Sequence, residues 1–311
     1  FRSFQEKERP LAGIKTKLAV TAGDLRSLEK AVGAGADIIY FGGDQFRSKP
    51  AIGREELARG IECCLSRGAT PVIQIPRLIQ EHNLGQFSRF VENVISAGGK
   101  AVQIADLGSL ALAKNFGKLD IYIDYGLNVF NEITLKALGQ YGAQVVTLSP
   151  ELNMDQLSKL RKTCPTELIV YGALPLMITE YCAIGSLAGG GNREVCSRPC
   201  KQKQYGLKDR LNFIFPLETD QNCRMYIFNA KELNLIEQLA DFVSLGAATV
   251  RLELKKESPD YVAKITKIFR KELDGTLANP VSYRPKAEHI QELTELRPGG
   301  YTKGHYFRGV I

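Results

Sequence analysis

The stretch Lys17-Leu18-Ala19-Val20-Thr21-Ala22-Gly23-Asp24-Leu25-Arg26-Ser27-Leu28-Glu29-Lys30-Ala31-Val32-Gly33-Ala34-Gly35-Ala36-Asp37-Ile38-Ile39-Tyr40-Phe41 decides the fold. It opens on a short, near-continuously apolar run, the reading of a strand buried on both faces. Asp24 then stands at the N-cap position of an amphipathic helix over 25–32. The Gly-Ala-Gly-Ala that follows supplies the left-handed stop that helix ends favour. A second apolar run, 37–41, starts at once.

The same rhythm repeats down the chain. Candidate strands at 70–75, 101–105, 120–124, 144–148 and 167–171 are again nearly all apolar, with helix stops at Gly68, Gly98-Gly99 and Gly142. An eighth, 249–254, follows a long interruption. Eight strands each followed by a helix predict an α/β fold, a TIM-like (β/α)8 barrel with a Cys-rich insertion between strands 7 and 8. A doubly wound open sheet is the alternative, but the turn Phe41-Gly42-Gly43 lacks the G-x-G-x-x-G spacing of a dinucleotide site. The expected division is an N-terminal extension at 1–16, a barrel at 17–275 with its insertion at 182–230, and a C-terminal helix and basic aromatic tail at 276–311. A hairpin, 211–217 against 224–228, is expected inside the insertion.

Composition sets outer bounds. With 311 residues, 44% hydrophobic and 24% charged, the chain is neither disordered nor collagenous, and it is long enough for one large domain or two ordinary ones. The net charge of +7 permits an anionic partner without requiring one. No stretch approaches the roughly 18 uncharged apolar residues of a membrane span. Without a signal peptide, seven cysteines point to a reducing, cytoplasmic setting rather than a disulfide scaffold. The first residue is Phe1 and not Met, which reads as a fragment of a longer chain.

Cys63, Cys64 and Cys164 have no partner pattern and read as buried free thiols. Cys182, Cys196, Cys200 and Cys223 are different, spaced C-x13-C-x3-C-x22-C around Gly189-Gly190-Gly191 and Arg198-Pro199. Four thiolates suffice for a [4Fe–4S] cluster or a tetrahedral Zn2+. A Gly-rich loop that a metal orders would bring them together. Zinc modules usually show paired short spacings, so the single short spacing of three favours iron–sulfur and leaves zinc open. Loops after barrel strands lie on the catalytic face, so the metal would cap the mouth.

These residues carry a resemblance. Ala19-Val20-Thr21-Ala22-Gly23-Asp24-Leu25, Ala34-Gly35-Ala36-Asp37 through Tyr40-Phe41-Gly42-Gly43, residues 124–131, Leu148-Ser149-Pro150-Glu151-Leu152, Tyr171-Gly172-Ala173-Leu174, and Cys196 to Cys200 followed by Lys201 together resemble the U32 peptidase (collagenase-like) family over roughly residues 17–275. The resemblance implies a TIM-like barrel. It further implies membership of a group whose names are peptidase or collagenase, and whose bacterial relatives act in hydroxylation of tRNA, ribosomal RNA or a ubiquinone precursor. Prephenate as cosubstrate and a four-Cys iron–sulfur cluster held by Cys182, Cys196, Cys200 and Cys223 are implied with it. Where the family often reads His-Gly-Ala-Leu-Cys, this chain has Tyr171-Gly172-Ala173-Leu174-Pro175. That departure resembles the C-terminal barrel of the long members and implies an upstream barrel as a partner.

Three functions follow as expectations: a domain of an RNA base hydroxylase, a collagenase-like peptidase, or a non-catalytic second barrel with a structural metal. Hydrolysis is poorly supplied. The histidines are His82, His289 and His305, with His82 able to face the mouth and His289 reading as a solvated surface residue, and neither HExxH nor GxSxG occurs. RNA contact is better supplied. Arg193, Arg198, Lys201, Lys203, Lys208 and Arg210 cluster around Tyr205, and the tail adds Arg297, Tyr301, Lys303, His305, Tyr306, Phe307 and Arg308. Basic groups attract phosphates and aromatics stack on bases. Strand ends offer Asp24, Asp44, Arg77, Asp106, Asn128, Asn131 and Glu151 to the mouth, Asp24 and Asp106 also fitting as helix caps. The catalytic candidates are Arg77, to grip the carboxylate of a small acid such as prephenate; Glu151, an acid–base group or a helix charge; Asn128; and Tyr171, lining the pocket or packing beneath the metal.

Overall fold

The computed structural model describes residues 15–117, 119–191 and 195–308. The apolar runs become strands because each has the barrel interior on one face and a helix on the other. In chain order they are β1 (Lys17–Thr21), β2 (Ile38–Gly42), β3 (Thr70–Gln74), β4 (Ala101–Ile104), β5 (Asp120–Ile123), β6 (Ala143–Thr147) and β7 (Thr166–Gly172). Helices α1 (Leu25–Gly33), α2 (Arg54–Ser66), α3 (Leu84–Ser96), α4 (Leu107–Lys114), α5 (Glu132–Gln140) and α6 (Met154–Lys159) alternate with them.

After β7 the chain leaves the barrel. It forms β8 (Pro175–Thr179), α7 (Ala183–Ala188), β9 (Tyr205–Lys208), β10 (Ile214–Thr219) and β11 (Met225–Phe228), which make an antiparallel sheet in the order β8-β11-β10-β9. The hairpin expected from sequence is β10 on β11, with Leu217 opposite Ile227. The excursion is wider than the 182–230 read from the sequence, because β8 pairs with β11 and so belongs to it. The chain returns through β12 (Glu232–Asn234) and α8 (Leu239–Ser244), and β13 (Thr249–Glu253) closes the ring against β1 and β7. The eight barrel strands are parallel. Helix α9 (Pro259–Ala278) completes the eighth strand–helix pair, α10 (Ala287–Leu296) packs outside it, and β14 (Tyr301–Thr302) pairs with β12.

The caps explain the boundaries. Asp24 and Asp106 accept from the backbone N–H of Ser27 and Ser109, and Asn131 accepts from that of Thr134, each 2.8–2.9 Å away. Three of the candidate mouth polars are therefore helix N-caps.

The barrel interior begins as an apolar layer of Ala19, Ile38, Tyr40, Val72 and Ala101, with Tyr122 against it. Above it the interior turns ionic. Arg251, fully buried, sits 2.9 Å from Asp124, 3.0 Å from Glu167 and 2.8 Å from Glu253. Tyr40 and Thr147 donate their hydroxyls to Glu167. Where β7 meets β13 the register shifts: Ile169 pairs with Arg251, but Tyr171 pairs with Leu252. A bulge of this kind re-aims the following side chain. Tyr171 thus turns out of the barrel and packs on Phe269 of α9.

Candidate functional site: a charged mouth beside a four-cysteine cavity

The C-terminal ends of the strands enclose a pocket of about 600 Å3, counting its open side. Its wall includes Asp44 after β2, Arg77 after β3, Asp124 and Tyr125 after β5, and Glu253, Lys255 and Lys256 at the end of β13, with Tyr226 and Phe228 of β11 folded over it. Arg77 donates from Nε to Asp124 Oδ2 at 3.0 Å, and its guanidinium lies 4.0 Å over the Tyr125 ring. Burial opposes the charge of Asp124, but Arg77 and Arg251 outweigh it and hold the carboxyl below the usual range. Lys255 Nζ donates to Gly42 O and Gln74 Oε1, each at 2.9 Å. Burial pulls its pKa below the ordinary lysine value. Thr21 Oγ1 and Gln103 Nε2, both buried in this wall, have no partner among the described residues. Such groups cost free energy unless something satisfies them.

Alongside lies a second cavity of about 920 Å3, counting its open side, and Cys182, Cys196, Cys200 and Cys223 all line it. Close backbone passage makes room for the sulfurs. A Cβ at Gly189 would lie 2.3 Å from Cys196 Sγ, and one at Gly185 would lie 3.5 and 3.6 Å from Cys196 Sγ and Cys182 Sγ. The backbone N–H of Gly185 and of Arg198 donate to Cys182 Sγ and Cys196 Sγ, each at 3.3 Å. Arg47 Nη2 lies 3.1 Å from Cys223 Sγ. Burial pushes the Cys182 thiol up. Among the described residues no three His, Cys, Asp or Glu close tightly enough to hold a single metal ion. The four sulfurs share a cavity rather than a point.

One segment touches both cavities. Asp44 and Phe46 line the mouth, and Arg47 reaches Cys223. The segment is laced to the turn that carries Cys223 by a Phe46–Asp220 bridge, by Arg47 N to Thr219 O at 2.8 Å, and by Gln45 N to Gln221 Oε1 at 2.7 Å.

Of the four residues nominated for catalysis, only Arg77 lines the mouth. Asn128 is exposed in a left-handed conformation after a short turn, and Glu151 is exposed, its N–H donating to Ser149 Oγ. Tyr171 is fully buried, its hydroxyl 2.7 Å from that of Tyr261 and 2.9 Å from that of Tyr301. These placements correct the expectation for Asn128, Glu151 and Tyr171. His289 is buried against Glu272 rather than solvated. His82 is exposed on the turn Glu81–Asn83 and does not line the mouth. Arg198, Lys201, Lys203 and Arg210 are exposed on the excursion, while Arg193 lies outside the described residues. The tail is not a free aromatic arm: Tyr306 is buried with its hydroxyl on Ile169 O, and Arg297 pairs with Glu232 and Glu257.

Sequence reading missed Asp124, Arg251, Glu253, Lys255 and Arg47. A signal existed for three of them. Thr249-Val250-Arg251-Leu252-Glu253 alternates charged with apolar residues, and in a barrel strand that alternation puts the charges on the interior face, just ahead of Lys255.

The sequence profile of Peptidase family U32 matches residues 23–310. The chain is 26% identical over 310 residues to an uncharacterized protease of Methanocaldococcus jannaschii, covering 96% of this chain and 74% of that protein. It is 22% identical over 309 residues to a collagenase of Porphyromonas gingivalis, covering 93% and 73%. It is 24% identical over 307 residues to tRNA hydroxylation protein P of Helicobacter pylori, covering 94% and 72%.

Proposed function

The chain belongs to peptidase family U32, and on that premise we propose that it acts in RNA hydroxylation, its four clustered cysteines holding an iron–sulfur cluster and its barrel mouth taking a small organic acid. The observation that carries this reading is the sharing of one cavity by Cys182, Cys196, Cys200 and Cys223 directly beside a mouth that holds Arg77 and Lys255. Relatives named for tRNA hydroxylation, from Helicobacter pylori and Escherichia coli among others, support it.

The donor set fits the group. Thiolates are soft ligands that select zinc or iron–sulfur centres. Zinc with Zn–S bonds of about 2.3 Å would need the sulfurs drawn to one point. One cavity with all four sulfurs on its wall suits a larger, multi-iron group. When bound, such a cluster supplies one-electron transfer at a potential set by its surroundings.

The rest is the work of the chain's own groups. Arg77 and Lys255 attract the carboxylate of an acid such as prephenate. Thr21 and Gln103 donate to its remaining oxygens, and Tyr226 and Phe228 cover it from water. Arg198, Lys201, Lys203 and Arg210 hold RNA phosphates on the rim. Peptide hydrolysis is the weaker reading, since no Ser, Cys or His lines the mouth among the described residues.

Metal analysis of protein purified without oxygen tests this. Iron and inorganic sulfide in the ratio of a [4Fe–4S] centre, with broad visible absorbance that disappears in Cys196→Ser, is the expected result. One zinc per chain and no iron from the same preparation would overturn it.

A further inference from the structure

Arg47, half-buried, follows the mouth residue Phe46 and reaches Cys223 of the second cavity, and among the described residues its charge has no counterpart. Among the described residues no carboxylate lies within ion-pair range of it, and its Nε is buried without a partner. Its Nη2 is spent on two acceptors, Gln221 O at 2.9 Å and Cys223 Sγ at 3.1 Å. A guanidinium with its Nε out of water, facing a sulfur and, among the described residues, no carboxylate, is placed as if for negative charge on that sulfur.

Its position is fixed from both sides. Backbone hydrogen bonding to Thr219, the Phe46–Asp220 bridge and the paired contacts of Gln221 with Gln45 N and Gly43 O leave little freedom between the Arg47 Cα and the Cys223 turn. The turn is itself specified. Cys223 is in a left-handed conformation (φ +60°), and Asp220 Oδ1 accepts from the N–H groups of Asn222 and Arg224, each at 2.8 Å. A residue other than Gly holds that conformation only where its surroundings over-determine it. Here they aim its sulfur at Arg47.

We propose that Arg47 is a positioning residue for the cysteine centre: its guanidinium, hydrogen-bonded to Cys223 Sγ, raises the centre's reduction potential, and its own segment couples that centre to the barrel mouth. The proposal rests on the iron–sulfur reading above. Net charge and hydrogen bonds to the ligand sulfurs are the protein's main controls over such a potential. A fixed cation favours the more negative, reduced form, and at a half-buried site salt screens it weakly.

The test is a potentiometric titration of the full chain, reconstituted without oxygen and followed by electron paramagnetic resonance, in the wild type, Arg47→Gln and Arg47→Lys. Glutamine keeps a donor and removes the charge. Its midpoint moves negative, so that the reduced fraction at a fixed poise falls about tenfold, equivalent to about 59 mV for a one-electron couple. Lysine keeps the charge and restores most of the shift. A glutamine variant with the wild-type midpoint overturns the proposal while leaving the iron–sulfur reading intact. A wild-type chain that takes up no iron overturns both. Should the glutamine variant fold, by circular dichroism, yet load no cluster, lysine must still load it; loss in both variants makes Arg47 a structural brace and overturns the assignment.

Discussion

Lys255 holds a charge where burial resists it. Its Nζ has two neutral acceptors, Gly42 O and Gln74 Oε1, and its pKa is lowered in the fold. An unfolded lysine titrates near about 10.4. The folded protein therefore releases this proton first as pH rises, and stability increases across the window between the lowered folded pKa and the unfolded one. Below that window the penalty is present in full. Lys255→Met consequently gains thermal stability relative to wild type near neutral pH, and the gain shrinks as pH approaches about 10. Melting curves across that range check it, and a difference that stays flat with pH would refute it. Cys64 gives a second prediction at this scale. Burial pushes its thiol up to about 12, and the side chain has no exposed surface. The thiolate is the reactive form, so mass mapping after iodoacetamide treatment of the native protein finds Cys64 unmodified and modified only after denaturation.

At the scale of elements, α10 is tied to the barrel by the buried Leu293 and by one buried carboxylate. Glu272 of α9 is fully buried, accepts from Tyr283 OH at 3.0 Å, and pairs with His289 Nδ1 of α10. Removing one member of such a set leaves the others unpaired, at a cost of about 3–5 kcal/mol. Glu272→Ala therefore lowers unfolding free energy by about 3 kcal/mol, and the double variant Glu272→Ala, His289→Ala falls well short of the sum of the single effects, because both remove the same contact. Urea unfolding measures it, and strict additivity would refute the pairing. Little of this was legible in the sequence. The run Ala287–Leu296 reads as polar because its own pattern is all a sequence offers, and Glu272 comes from a helix that only the fold brings alongside. Tyr171 was misread for a related reason. Its parity along the strand is reversed by a bulge that depends on register with β13, which no local pattern encodes. It joins a relay instead: Tyr301 donates to Leu293 O, so Tyr171 donates to Tyr301 and accepts from Tyr261. The barrel strands were legible because a strand buried on both faces is apolar residue by residue, and the caps Asp24 and Asp106 because a cap is local chemistry; Asn131, read as a mouth polar, proved to be a third cap.

The whole molecule sets a basic rim beside a cysteine cavity, and that arrangement makes a claim about ionic strength. The excursion was legible in its cysteines and in one hairpin, but β8 was not, since a short edge strand with no fully buried side chain has no buried period. For the proposed RNA contact, what matters is which cations stay free of the fold. Arg198, Lys201, Lys203 and Arg210 are exposed, and Arg198 lines the cysteine cavity itself. Lys303 of the tail instead pairs with Glu237 at 3.2 Å, and the tail aromatics Tyr301 and Tyr306 are committed to the core. Each phosphate neutralised on single-stranded RNA contributes about −0.7 to the slope of log affinity against log salt. Replacing Lys201 and Lys203 together by Ala therefore flattens that slope by about 1.4 and weakens binding at low salt, the wild-type and variant lines converging as salt rises. Lys303→Ala leaves the slope where it was. Filter binding of a short single-stranded RNA across a salt series decides between them. Equal slopes for wild type and the double variant would remove the excursion from the RNA path, and a flattening in Lys303→Ala would return the tail to it.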